Sequence, residues 1–388
     1  MKIAISGGRI AGLATAIYLK SSNHKVTVFE KSDGFKSQGY GFSIKSFGVE
    51  ILKSFGVFDE LKSKGLPITS FNIYGEGGNV VREIPEKVIE EMTGGAFPVS
   101  RAHLHEVLFK LLDQQVPVVF NKWITCINHL PETEKITFND GTSDEFDLVI
   151  IAEGLRSKSR QLLCGDEGWF PTDIKYAASQ IDRAHNFKPG AAYTFKGLGK
   201  TISFFPMNET RIVIQAYFRN ADGHRLQQSQ IRNLLQKTYS RFAKDVTEIL
   251  ADLHEDDFIF YDSVAMVRLP KLTSSRVVLI GDSAYSTTFL SGMGASLSLL
   301  GAKLLTEALQ ADPDVKEALT KFENKMLPIA KQFQKIALDN MKRELPQKKM
   351  QLFIANILTK FIPYSMMIKN VSDKLQLKEE LEVASDKN

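Results

Sequence analysis

The sequence predicts an α/β fold with two sheets, one parallel and one antiparallel and interleaved with it, closed by C-terminal helices. Three observations carry this. Residues 2–30 read as strand, glycine turn, helix and strand. Two later stretches, 146–163 and 275–309, again run from an apolar strand through a glycine-bearing turn into a helix. Between them, residues 171–269 switch to short aromatic and β-branched runs separated by turns, the pattern of an antiparallel sheet.

KIAIS is a short apolar run suited to a parallel strand buried on both faces. GGRIAG follows as the turn, and Leu13, Ala16, Ile17 and Leu19 suit a helix laid on a sheet. HKVTVFEKS is a second strand ending in Glu30, about 20 positions beyond the turn. Together these make a Rossmann-like unit. Gly7 permits the tight turn and Gly12 lets helix and strand approach. The helix N-terminus offers N–H groups and partial positive charge to a pyrophosphate, and Glu30 can accept bonds from ribose hydroxyls. Arg9 stands where the middle glycine of the usual fingerprint belongs. Its side chain either crowds the pyrophosphate or, folded aside, becomes a phosphate partner, and the local sequence leaves both open.

Composition narrows the rest. Hydrophobic residues are 43% and charged residues 24% of 388, an ordinary globular balance with room for a sizeable core. The net charge of +4, from 49 basic and 45 acidic residues, is too weak to predict a nucleic-acid partner. Cys126 and Cys164 form neither a CxxC pair nor a disulfide framework, which predicts a reducing, cytoplasmic setting. A strand starts almost at the N-terminus, so no signal peptide is read, and no window holds the ~18 apolar residues of a membrane span. No stable membrane insertion is expected. The histidines (His24, His103, His105, His129, His185, His224 and His254) show no ligand spacing, and no metal is expected. His103 and His105, two apart on a helix, should point different ways.

Downstream, AFPVSRAHLHEVLFKLL (96–112) places Arg101 at the start of an amphipathic helix with Leu104, Val107, Leu108 and Leu111 on one side. FDLVIIAEGLRSKSRQLL (146–163) gives a strand, the Glu153-Gly154 turn and a basic helix start. In 275–309 a strand ends in Gly281-Asp282, then a loop leads to Gly292-Met293-Gly294 and a long helix rich in small residues. This order and spacing resembles the class A FAD-dependent monooxygenases, the family of aromatic hydroxylases and tetracycline-inactivating enzymes, along most of the chain. GYGFSIKSFGVEILKSFGV resembles the family's early loop and helix, with Gly39 and Gly41 near the flavin. In one bacterial branch of that family the position of Arg9 is often serine.

The resemblance implies an FAD-binding domain and extended FAD. Gly7, Gly8, Arg9, Ala11, Gly12, Glu30 and Lys31 would serve its pyrophosphate and adenosine end, and Arg101 the pyrophosphate or ribityl region. Asp282 would bind ribityl hydroxyls, with Gly41, Glu153 and Gly154 also at the cofactor. Gly292, Met293, Gly294 and Ala295 would set a helix N-terminus against the flavin's pyrimidine edge, where reduced flavin is negative. Glu153 departs from the family's usual aspartate, and YSTTFLSG lacks its prolines. The implied reaction has NADPH or NADH as transient donor, O2 adding at flavin C4a, and the hydroperoxide hydroxylating an electron-rich aromatic or polyketide-like small molecule. Because the flavin carries the chemistry, no catalytic acid or base is assigned.

AAYTFKG, TISFFPM and RIVIQAYF are expected strands over the flavin, with Phe204, Phe205, Gln215, Tyr217 and Met266 as candidates to touch substrate. One helix is expected around 229–250, after which FIFYDSVAMVRLP returns to the flavin domain. The expected division is 1–70, 96–170 and 270–330 for the FAD-binding domain, 71–95 and 171–269 for the substrate domain, and 331–388 for C-terminal helices. The amphipathic, lysine-bearing stretch 347–375 is expected to cap the flavin domain, a membrane-surface helix being the alternative, with residues beyond about 376 frayed. The chain is expected as a monomer or weak homo-oligomer. A halogenase lacks its WxWxIP signature here, and a lone fingerprint disfavours a two-nucleotide-domain reductase. The remaining alternative is a non-catalytic relative that binds FAD weakly and acts as a binding protein.

Overall fold

The computed structural model describes residues 1–34, 41–45, 47–65, 68–93, 96–222 and 226–375. Expectations for Gly39, for His224 and for the chain beyond 375 lie outside these. The fold is the α/β architecture expected, with a parallel sheet, an antiparallel sheet and C-terminal helices.

The first sheet has the strand order Thr273–Ser274, Val277–Leu279, Leu148–Ile151, Lys2–Ser6, Lys25–Phe29, Val118–Val119. Lys2–Ser6 lies at its centre, parallel to both neighbours, with Ile5 opposite Ile150 on one side and Val28 on the other. Ile3, Ala4 and Ile5 are fully buried, which is why this strand is an unbroken apolar run rather than an alternating one. Helix Ile10–Leu19 packs against helix Gly294–Ala311, so the first glycine turn and the late glycine motif meet although they are far apart in sequence.

The second sheet has seven strands in the order Phe260–Val267, Trp169–Asp182, Arg211–Arg219, Lys200–Asn208, Ala191–Gly197, Ser70–Gly75, Val80–Pro85. All pairs are antiparallel except Ala191–Gly197 with Ser70–Gly75. One face buries Phe195, Ile202, Phe204, Ile212, Ile214 and Phe218 in a core shared with Ile231, Leu235, Val246 and Ile249 of two helices. Those helices, Gln228–Thr238 and Lys244–Ala251, replace the single helix expected over 229–250. The break falls where Tyr239 and Phe242 drop into that core, and Tyr239 Oη donates to the Thr201 carbonyl at 2.8 Å. Phe260–Val267 remains the edge of the seven-stranded sheet. Only Val267, Leu269 and Leu272 at its end join the core of the parallel sheet.

Helix Val315–Glu344 buries Ala318, Leu319, Phe322, Met326 and Phe333. The next two helices depart from the expected cap on the flavin domain. Lys349–Phe361 rests on strand Val80–Pro85, and Tyr364–Leu375 on helix Glu86–Thr93. Arg82 ties both down: its guanidinium donates to the Lys360 carbonyl at 2.6 Å and lies 4.1 Å from the Tyr364 ring centroid. Among the described residues, no helix is long and apolar enough to cross a membrane.

Candidate cofactor and active site

The glycine turn is held by close backbone approach. Gly7 has φ +109°, and a Cβ there would lie 2.4 Å from the Ala152 carbonyl oxygen. A Cβ on Gly12 would lie 1.9 Å from the Gly7 oxygen. Any larger residue at either place pushes the first helix off the sheet.

Glu30 closes the turn from the neighbouring strand. One carboxylate oxygen accepts from Gly8 N at 2.8 Å, and the other from Ser32 N at 2.9 Å and Ser32 Oγ at 2.7 Å. Burial would raise its pKa, but these bonds and the positive charge of Arg9 hold it below the usual carboxylate value. Acceptor capacity remains on the oxygen facing Gly8, since a carboxylate offers about four lone-pair sites. His105, on helix Arg101–Lys110, makes a 2.7 Å hydrogen bond to the Gly8 carbonyl, and burial lowers its pKa. Sequence reading missed that role, although it expected His103 to point elsewhere, and His103 does lie near Glu60 and Glu106.

Arg9 is exposed at the head of the first helix, and its charge acts on Glu30, His105 and Asp282. Arg101 acts on the last two as well, so both arginines border one cleft with Asp282. Burial pushes the Asp282 pKa up, opposed by Arg101, by a hydrogen bond with Ser286 and by Arg9. Gly281 precedes it with φ +63°, and a Cβ there would come within 2.9 Å of the Ala11 methyl. Ala11 is therefore a spacer between two glycine-bearing elements.

Glu153 turns inward. Its carboxylate accepts from Ser6 Oγ at 2.6 Å, Ser157 Oγ at 2.8 Å, and Ser159 N and Oγ at 3.0 and 2.5 Å. It braces the end of the central strand against helix Lys158–Cys164, and the longer glutamate reaches these serines. Gly154 beside it has φ +83° and open space within 4 Å of a Cβ position. Lys31 is exposed, with Nζ 5.6 Å from the Trp123 ring centroid.

At the other end of the cleft Gly292 adopts the left-handed conformation, φ +65°, and Gly294 opens helix Gly294–Ala311 close to Asp282. Met293 is fully buried, and Ala295 packs on the core. Lys45, which sequence reading passed over, places Nζ 2.7 Å from the Cβ position of Gly292. Burial lowers its pKa, and among the described residues no carboxylate opposes that shift.

The antiparallel sheet supplies the facing wall. Gln215 Nε2 approaches the Gly41 carbonyl at 3.5 Å. The Tyr217 and Tyr176 rings lie 5.2 and 4.8 Å from Phe289, which sits on the loop before Gly292. Phe205 shares this face by strand alternation. One substrate candidate does not: Phe204 points to the opposite, helix-backed core. Met266 falls on the wall's face by alternation with Asp262 and Val264, but it is fully buried. Adjacent phenylalanines on a strand cannot face the same way, and sequence alone does not say which faces the cleft. Tyr176 and Phe289 are the wall residues missed; the signal for Tyr176 was its alternation with Ile174.

The cleft suits FAD: a tight Gly7-Gly8 turn with the Arg9 cation at a helix N-terminus, open space over Gly154, a carboxylate flanked by arginines, and an ammonium beside a second glycine-led helix. Comparison with known proteins agrees. A family model described as an FAD binding domain matches residues 1–336. A flavin-dependent monooxygenase from an unknown prokaryotic organism is 23% identical over 97% of this chain and 98% of its own. An FAD-dependent urate hydroxylase from Klebsiella oxytoca is 26% identical over 83% of this chain and 85% of its own. Among solved structures, Klebsiella pneumoniae HpxO complexed with FAD and uric acid has a TM-score of 0.84 at 21% identity, covering 97% of this chain and 96% of that one. A tetracycline destructase has a TM-score of 0.78 at 23% identity, covering 97% and 98%. With the family model spanning most of the sequence, this chain belongs to the FAD-binding-domain family and is a class A FAD-dependent monooxygenase, an enzyme whose cofactor is FAD.

Proposed function

We propose that the enzyme uses NAD(P)H and O2 to hydroxylate an electron-rich, aromatic or polyketide-like small molecule. Overall, NAD(P)H, a proton, O2 and substrate yield NAD(P)⁺, water and the hydroxylated product. Bound FAD supplies oxygen activation and transfer. The observation that carries the reading is the pairing of the glycine-lined cleft with an aromatic wall of Tyr176, Tyr217 and Phe289.

On this reading Gly7 and Gly8, whose N–H groups are bonded to Phe29 and Glu30, let the backbone approach the pyrophosphate, and the first-turn N–H groups of Ala11 and Gly12 face it, with Arg9 and Arg101 as cationic partners. Glu30 accepts from the adenosine ribose, and Asp282 from the ribityl chain. Gly41 and Gly154 leave room along the cofactor. The N-terminus at Gly292–Ala295 and the Lys45 ammonium oppose negative charge at the pyrimidine edge. The aromatic wall, with Gln215 and Phe205, orients a flat substrate and excludes water. The relatives named for urate and tetracycline support a planar, oxygenated substrate class. A cytoplasmic enzyme, monomeric or weakly associated, is the setting that fits.

The test is the visible spectrum of purified protein given FAD, then NADPH, then air. Flavin bands that bleach and return support an oxidative cycle, and substrates that accelerate bleaching identify the class. A protein whose bound FAD neither NADPH nor NADH reduces, with or without candidate substrates, sinks the reading.

A further inference from the structure

Helix Lys349–Phe361 turns its more apolar face to solvent. Met350, Phe353, Ile354, Ile357, Leu358 and Phe361 are all exposed, from 40% to 70% of their surface. Their spacings of three and four put them on one stripe. The opposite side, which rests on the protein, carries Leu352, Ala355, Asn356 and Thr359, all only half-buried. A helix folded for water alone orients the other way, as the preceding helix Val315–Glu344 does with Leu319, Phe322, Met326 and Phe333. A contiguous apolar stripe of this kind marks a surface that something covers.

Charge selects the occupant. Lys349 and Lys360 are exposed at the two ends of the helix, on the flank of the stripe next to Phe353, and Lys348 caps its start. Lys369 and the exposed Met366 extend the pattern into the next helix. Residues 345–372 contain no aspartate or glutamate. A second copy paired antiparallel, stripe to stripe, brings Lys349 against Lys360, and in neither direction do residues 345–372 supply a carboxylate to neutralise the lysines. Anionic lipid headgroups supply that neutralisation, while acyl chains accept Phe353, Leu358 and Phe361. The helix has 13 residues, too short to span a bilayer of ~30 Å but suited to lie in its surface. We infer that helix Lys349–Phe361 docks the enzyme, in plane and reversibly, on an anionic membrane surface. The inference is independent of the substrate.

Flotation of the full-length holoenzyme with phosphatidylcholine vesicles, with and without phosphatidylserine, tests it. The wild type is expected to float with phosphatidylserine vesicles and to lose binding in high salt. The double substitution Phe353→Ser and Leu358→Ser should weaken binding by roughly tenfold or more. Lys349→Gln with Lys360→Gln should weaken binding only to the anionic vesicles. These side chains are exposed, so far-UV circular dichroism and flavin absorbance should stay as in the wild type, separating lost docking from lost folding. Wild-type protein that stays unbound with phosphatidylserine vesicles overturns the inference. So does a dimer that the serine variant converts to monomer, since a second copy would then cover the stripe.

Discussion

At Arg9 the chain keeps a cation where phosphate turns usually keep glycine, and its exposed side chain acts on Glu30 and Asp282 rather than filling the turn. Arg9→Ala is therefore expected to weaken FAD binding about tenfold at low salt and less at high salt, measured by flavin fluorescence. Tighter binding by the variant would show that the side chain crowds the phosphate. Asp282 makes the opposite kind of contribution. Its pKa is raised above the ordinary 3.8, chiefly by burial. A raised folded value means that the apo-protein gains stability from this group below the ordinary pKa and loses it as pH rises through the folded value. At neutral pH the ionised carboxylate thus costs the apo-fold something. Asp282→Asn should raise the apo melting temperature at pH 7 by about 1–2 °C, with the gain vanishing in acid. It should also weaken FAD binding about tenfold, through the lost charged acceptor. An apo-protein no more stable than wild type at pH 7 would mean that solvent, not burial, governs this carboxylate.

The central strand, glycine turn and first helix were legible because their signals are local: apolar run, Gly7 and Gly12, helical spacing of Leu13, Ala16 and Ile17. The structure adds how little room there is, with Gly12 needing its hydrogen because the Gly7 carbonyl occupies the Cβ position. Gly12→Ala is expected to destabilise the protein by about 1–3 kcal/mol and to abolish FAD retention on purification. Denaturant unfolding and the flavin-to-protein absorbance ratio check both, and a stable, yellow Gly12→Ala protein would mean that the turn relaxes freely. The antiparallel sheet was legible as strands but not as a face or an order. Ser70–Gly75 pairing in parallel with Ala191–Gly197 is a long-range choice, and which of Phe204 and Phe205 faces the cleft depends on register. Lys45 and His105 stayed hidden for the same reason: each acts on a glycine distant in sequence, Gly292 and Gly8.

Across the whole molecule the apolar interior divides into two principal cores. One, around the parallel sheet, draws on residues from Ile3 to Phe333. The other, under the antiparallel sheet, lies between Ala177 and Ile259. On the proposed division, residues 1–70, 96–170 and 270–330 form the FAD-binding body, and 71–95 with 171–269 the substrate body. The residues assigned to pyrophosphate, ribityl chain and pyrimidine edge then attach to the first core, through elements drawn from both ends of the chain. FAD at about a hundredfold its dissociation constant stabilises what it binds by about 2.7 kcal/mol. Where local opening precedes global unfolding, that gain appears in the elements it touches. Hydrogen exchange with and without FAD should therefore slow in Lys2–Ser6, Ile10–Leu19 and the first turns of Gly294–Ala311. It should change little in Gln228–Thr238 and Lys244–Ala251, which cover the second core. Equal slowing in both sets would mean that the two cores open as one cooperative unit. The seven-stranded sheet would then be coupled to cofactor binding through the Gln215–Gly41 and Tyr217–Phe289 contacts, the bridges between the facing wall and the cleft.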